Sequence, residues 1–194
     1  FIFVSEFKQT LLTKNRRFYA VGVSHKTATI DHRGYFSLSD SQLHALFLDA
    51  KEKEIQDLLL INTCNRTEIY AWTFSDSELV ELLCTHSEGT RECFSQVGYS
   101  FEDEKGIHHL FRVGTGLESQ ILGDFEIIGQ IKQSFYRSKK MGLAQGNLER
   151  LTNSVIQASK RIKTETQISS GATSVAFASV QYILKNVRDI AQKN

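Results

Sequence analysis

Leu58 to Trp72 reads LLLINTCNRTEIYAW. Both ends are aliphatic or aromatic, the composition of strands that pack within a sheet, and the polar run Thr63-Cys64-Asn65-Arg66 separates them. Asp57 to Ile61 reads as one buried strand and Glu68 to Phe74 as the next. The link between them lies at the edge of a rigid sheet and carries a thiol and a guanidinium two residues apart.

Working outward, Arg17 to Ser24 (RFYAVGVS) is β-rich and forms a first strand. Ser39-Asp40 offers an N-cap ahead of Leu43, Leu46, Phe47 and Ala50 at helical spacing. Ser75-Asp76 offers another ahead of Leu79, Leu82, Leu83 and His86, and Tyr99 to Glu102 is a short fourth strand. The order β-α-β-β-α-β is that of a ferredoxin-like split sheet, so the expected class is α+β with an antiparallel sheet.

From Gly106 onward the pattern is helical. A short helix over His109–Val113 ends at Gly114-Thr115-Gly116. A long one over Ile121–Lys140 turns Ile121, Phe125, Ile128 and Phe135 inward and stops at Gly142. Asn147 caps a third, with Leu148, Leu151, Val155, Ala158 and Ile162 on one face, and Ser174 to Gln192 is a fourth.

With 194 residues, the chain is long enough for one domain and an appendage. Its 41% hydrophobic and 23% charged content is that of a soluble globular protein. No apolar run approaches the roughly 20 residues needed to cross a bilayer. The N-terminal FIFVSEF lacks the basic region and cleavage site of a signal peptide. Cys64, Cys84 and Cys93 form no CxxC and no even framework, which fits a reducing cytoplasm. A net charge of +1 argues against a general nucleic-acid field, though not against a local patch for an RNA substrate.

A cysteine attacks as the thiolate, which neighbouring positive charge and N–H groups favour. If the chain stays extended through Asn65, Cys64 and Arg66 project to the same side. Arg66 then either stabilises the thiolate or grips a carboxylate with two parallel hydrogen bonds, and Thr63 and Asn65 add polar contacts. Free cysteine is also among the most buried residue types, so spacing alone leaves Cys64 as either packing or nucleophile. Cys84, in a leucine-rich helix, reads as core, and Cys93 as exposed.

One of the pair His108-His109 suits proton transfer or carbonyl polarisation, or both take structural places on the helix. GTGLES follows a helical stretch instead of a strand and is no dinucleotide fingerprint. Glu126 and Gln130 share a helix face near Asp124, as a solvated surface or as a polar wall for a charged substrate. The basic run Lys160-Arg161-Ile162-Lys163 is a solvated face or a phosphate contact. No grouping of metal ligands is present in the sequence pattern.

Five ordered blocks add a resemblance. GVSHKTA (Gly22–Ala28), NTCNRTEIYA (Asn62–Ala71), HLFRVGTGLESQILGDFEIIGQIK (His109–Lys132), KRIKTETQIS (Lys160–Ser169) and TSVAFASV (Thr173–Val180) resemble the glutamyl-tRNA reductases of tetrapyrrole (haem and porphyrin) biosynthesis. The resemblance implies that Cys64 attacks the ester of glutamyl-tRNA(Glu) to form a thioester, which NADPH reduces to glutamate-1-semialdehyde. Cys64 stands at the nucleophile's position and His109 at that of a histidine acting at the carbonyl. Thr63, Asn65, Arg66, Ser119, Asp124, Phe125, Glu126 and Gln130 stand at substrate-lining positions. Asp124 replaces the more usual Glu, which shortens its reach, and Phe125 replaces Pro or Gln.

The resemblance further implies an NADPH-binding domain and a helical dimerisation domain beyond Asn194. Residues 1–165 are then expected to be the catalytic domain, and 166–194 a long connecting helix. The fragment is expected to acylate or hydrolyse without reducing. A homodimer and glutamate-1-semialdehyde aminomutase are the implied partners. A tRNA-binding module and a free-standing cysteine hydrolase are the competing readings.

Overall fold

The computed structural model describes residues 16–166 and Ile168. The connecting helix expected over 166–194, with its turns at Ser174–Gln192, falls outside the described residues apart from Thr166 and Ile168. The described order is β1 (Arg17–Ser24), α1 (Ile30–Phe36), α2 (Asp40–Glu52), β2 (Gln56–Thr63), β3 (Arg66–Thr73), α3 (Asp76–His86), α4 (Arg91–Val97), β4 (Tyr99–Glu102), α5 (Asp103–Gly114), α6 (Glu126–Lys140) and α7 (Gly146–Glu165).

The strands form one sheet in the order β2-β3-β1-β4, and every neighbouring pair is antiparallel. This is the split β-α-β arrangement, and it makes the domain α+β. Strand residues alternate between two buried faces. Tyr19, Val21, Val23, Leu58, Leu60, Ile69 and Ala71 pack with α1–α4. Phe18, Ala20, Leu59, Ile61, Tyr70 and Trp72 pack with α5–α7. Cover on both faces explains why β2 and β3 read as near-continuous apolar runs.

Several boundaries differ from the sequence pattern. The seven-residue α1 and α4 bury few apolar side chains, too few for a visible period; the hydroxyls of Thr29 and Thr90 cap them instead. α5 begins at Asp103, six residues before the expected start. α6 begins only at Glu126, because Gly116 (φ 74°) and Gly123 (φ 80°) turn the preceding segment back on itself. Ile121 and Phe125 therefore precede that helix, and its buried row is Ile127, Ile131 and Ser138. Ser39 forms the full capping box with Gln42, whereas the side chain of Ser75 makes no cap bond. Asn147 does not cap α7. The buried carboxylate of Asp57 accepts the N–H groups of Gln145 and Leu148 from 88 and 91 residues away. Cys84 and Cys93 are both half-buried against the α1–α4 core.

Gly22 lies between Glu68 on β3 and Tyr99 on β4. A Cβ there would stand 2.8 Å from both Cα and Cγ of Glu68 and would press on the Thr67 carbonyl. Gly22→Ala is expected to lower the urea midpoint by an amount equivalent to about 1–3 kcal/mol. Gly129→Ala, in α6 where a Cβ meets nothing within 4 Å, is expected to raise it by about 0.5–1 kcal/mol.

Candidate active site

Thr63 pairs with Arg66 across the β2–β3 hairpin, which leaves Cys64 and Asn65 as a two-residue turn. The extended path through Asn65 that the sequence suggested is absent. Cys64 is exposed, whereas the Arg66 side chain is 3% exposed, so the two do not project together. The Thr63 hydroxyl accepts the N–H groups of both Asn65 and Arg66 at 3.2 Å. The backbone N–H of His25 donates to the Asn65 carbonyl at 2.9 Å. From α1, Arg33 donates through Nε to the Cys64 carbonyl at 3.2 Å and through Nη1 to the Ala28 carbonyl at 2.8 Å.

Behind the turn lies a buried charged cluster. By the two-residue period of β3, Arg66, Glu68 and Tyr70 share one face. The Glu68 carboxylate accepts from Arg66 Nη1 at 3.0 Å, Tyr70 Oη at 2.7 Å and the Tyr99 hydroxyl. It also meets His109 Nε2 at 2.9 Å. The His109 ring packs among Tyr70, Tyr99 and Phe101, with centroid distances of 6.2, 5.3 and 4.8 Å.

Burial disfavours the ionised Glu68, but the His109 hydrogen bond, the Arg66 charge and the Tyr99 hydroxyl outweigh it and hold the carboxyl at about 2. Burial and the Glu68 charge push the Tyr70 and Tyr99 hydroxyls well above their ordinary value. His25 is lowered by burial and by the charges of Arg66, Lys26 and Arg33. Its Nδ1 is buried with no hydrogen-bond partner among the described residues.

The segment after α5 completes the surroundings. Arg66 Nη2 donates to the Glu118 carbonyl, which brings Ser119, the next residue, beside the hairpin. The Glu118 carboxylate pairs with Lys26 and with Arg112 Nε, the latter at 2.6 Å. Asp124 Oδ1 accepts the Glu126 N–H at 3.0 Å and so caps α6 in place of a side chain at Phe125. Phe125 lies under Lys163 Nζ, 5.7 Å from the ring centroid. Glu126 and Gln130 are exposed on the first turns of α6, and no hydrogen bond among the described residues joins them to the hairpin.

Thr63, Cys64, Asn65, Arg66, His109 and Ser119 are thus joined by hydrogen bonds or direct sequence adjacency, while Asp124, Phe125, Glu126 and Gln130 form a second group. The sequence reading missed Glu68, Glu118, His25 and Arg33. Glu68 had a signal: one acid in an otherwise apolar strand, in phase with Tyr70 and Trp72. His25 and Glu118 lie within the quoted motif blocks but reach the hairpin through loops, and Arg33 comes from a short helix that no periodicity marks.

The glycine run after α5 is not a Rossmann-type pyrophosphate site, which places a glycine turn between a parallel strand and a helix N-terminus. Here Gly114-Thr115-Gly116 closes the C-terminus of α5, and all strand pairs are antiparallel. Among the described residues no three His, Cys, Asp or Glu side chains gather as they would around a metal ion. No described helix is long and apolar enough to cross a membrane.

Fold and site together define an α+β domain that presents a thiol on a hairpin turn above a buried Arg-Glu-His-Tyr cluster. The sequence profile of the N-terminal domain of glutamyl-tRNA(Glu) reductase matches residues 21–166, and the chain belongs to that family. It is 53% identical over 183 residues to the glutamyl-tRNA reductase of Christiangramia forsetii, covering 94% of this chain and 44% of the relative. The corresponding protein of Flavobacterium psychrophilum is 54% identical over 183 residues with the same coverage, 94% and 44%. The structure of glutamyl-tRNA reductase from Methanopyrus kandleri matches with a TM-score of 0.70 at 27% identity, over 87% of this chain and 39% of that one. The chain therefore spans less than half the length of the relatives it matches.

Glu68→Gln leaves the buried Arg66 without a counter-charge, and a loss of about 3–5 kcal/mol is expected in urea unfolding at neutral pH. The folded carboxyl, at about 2, lies below its ordinary 4.5. Its contribution is therefore complete above pH 4.5 and declines as pH falls toward 2. Stability measured across that window is expected to fall less steeply in Glu68→Gln than in the wild type.

Proposed function

We propose that this domain carries the acyl-transfer half of the glutamyl-tRNA reductase reaction, with glutamyl-tRNA(Glu) as its substrate. The observation that carries the proposal is the Cys64 turn: an exposed thiol whose flanking backbone is pinned by Thr63, His25 and Arg33. A nucleophile must be both reachable and held in one place, and this turn meets both needs.

In the proposed step the Cys64 thiolate attacks the carbonyl carbon of the ester that joins glutamate to the terminal ribose. A C–S bond forms, the ester C–O bond breaks, and the ribose oxygen leaves with a proton as a hydroxyl. No electrons are exchanged, and the product is a glutamyl thioester on Cys64. Arg66 spends two of its five N–H groups on Glu68 and Glu118 and keeps the others for the side-chain carboxylate of the substrate. His109 Nε2 is fixed by Glu68, and its other ring nitrogen is the group we assign to proton transfer at the carbonyl. We assign Thr63, Asn65 and Ser119 to polar substrate contacts beside the turn, and Asp124, Phe125, Glu126 and Gln130 to contacts farther along the substrate. NADPH supplies the hydride in the family; no step through it is assigned to these residues.

Intact-mass spectrometry after mixing the chain with glutamyl-tRNA(Glu) tests the reading. A glutamyl adduct that hydroxylamine removes, located on Cys64 and lost in Cys64→Ser, is the expected result. Retained tRNA binding with no adduct under any condition overturns it in favour of an RNA-binding module.

A further inference from the structure

The cation that touches the nucleophile's residue comes from an element with no visible helical period in the sequence. Arg66 lies buried beneath the turn and is engaged with Glu68 and the Glu118 carbonyl. Arg33, on α1, reaches across from the other side of the sheet. Its Nε binds the Cys64 carbonyl at 3.2 Å, while its Nη1 binds the Ala28 carbonyl at 2.8 Å. One planar guanidinium therefore ties the carbonyl of the nucleophile's own residue to the loop that leads from β1 into α1. It makes no ion pair with an acid among the described residues.

The other restraints on the turn act around Cys64. The Thr63 hydroxyl accepts the N–H groups of Asn65 and Arg66, and the backbone N–H of His25 donates to the Asn65 carbonyl. Arg33 alone among the described side chains holds a polar atom of Cys64 itself. An exposed two-residue turn has few packing contacts to fix it, so losing this bond frees the peptide plane that carries the thiol. We propose that Arg33 is a positioning residue for acylation of Cys64, acting through the Cys64 carbonyl to fix the direction in which the thiol is presented. The kinetic arm of this proposal rests on the acyl-transfer reading above; the turn-ordering arm does not.

Two measurements on the 194-residue chain test it. In hydrogen exchange, Arg33→Ala is expected to speed exchange of the Asn65 and Arg66 amides about tenfold or more, with the amides of β1 and of β3 beyond Arg66 unchanged. In single-turnover acylation by glutamyl-tRNA(Glu), Arg33→Ala is expected to lower the maximal rate about ten- to hundredfold. The half-saturating concentration should stay within about twofold. Added guanidinium ion should restore part of the rate in Arg33→Ala, and Arg33→Lys should fall between the two because an ammonium lacks the fork that spans both carbonyls.

Unchanged exchange at the turn overturns the proposal whatever the acylation result. A wild-type maximal rate in Arg33→Ala also overturns it, as does a raised half-saturating concentration with an unchanged rate, which would make Arg33 a substrate contact. A rate loss that guanidinium does not restore, accompanied by faster exchange throughout the sheet, would make its role merely structural and equally overturn it. If the wild type forms no thioester while the exchange result holds, the acyl-transfer reading fails and the turn assignment stands.

Discussion

The buried carboxylate of Glu68 is the constraint around which this domain is arranged. Taking an ionised carboxylate out of water costs several kcal/mol, and the group stays charged only if its oxygens are satisfied. Here the donors come from separate parts of the chain: Arg66 and Tyr70 on β3, Tyr99 on β4 and His109 on α5. Gly22 on β1 contributes by having no side chain, which leaves room for the Glu68 stem between Thr67 and the facing strands. The cluster thus joins three adjacent strands to the first helix of the far layer. It also fixes the direction of Arg66 at the base of the hairpin.

The sheet delivers the two sides of the site from opposite layers. Helices α1–α4 cover one face and α5–α7 the other. From the first layer come Arg33 and the loop carrying His25 and Lys26. From the second come His109, Arg112 and the segment with Glu118 and Ser119. They converge on the β2–β3 turn because that hairpin lies at the end of a sheet covered on both faces. Lys26 bonded to Glu118 spans the two layers directly. Hydrogen bonds from Thr63, His25 and Arg33 hold the two-residue turn, so the exposed Cys64 is restrained without being buried.

Chemically, the arrangement separates duties that the sequence placed side by side. Cys64 and Arg66 are neighbours in the chain, yet one faces solvent and the other faces a buried acid. The guanidinium that fixes Arg66's environment is its own, while the one touching the Cys64 carbonyl belongs to Arg33. His109 is oriented by an acid 41 residues earlier, so its tautomer follows from the β3 strand instead of its own helix.

The four strands and their order, helices α2, α3 and α7, the α+β class and the family were legible in the sequence, whereas α1 and α4 were not. Apolar periodicity and the ordered motif blocks are local properties, legible one segment at a time; β1 and β4 fall where the sequence placed them. Where a signal was not local, the reading went astray. α7 is capped by Asp57 from 88 residues away, α1 and α4 rest on threonine caps with little apolar period, and α6 starts late because two glycines fold the preceding segment back. The site followed the same division. Cys64 stood out because a thiol in a polar break between strands is odd on its face, and Glu68 could have been read from its phase in β3. That Arg66 turns inward, that Glu68 is satisfied by four side chains, and that Arg33 reaches the Cys64 carbonyl follow only from tertiary contacts. The reason is physical: a charge buried at the centre of a sheet is tolerated only when donors from distant segments converge on it, and no stretch of chain contains that convergence.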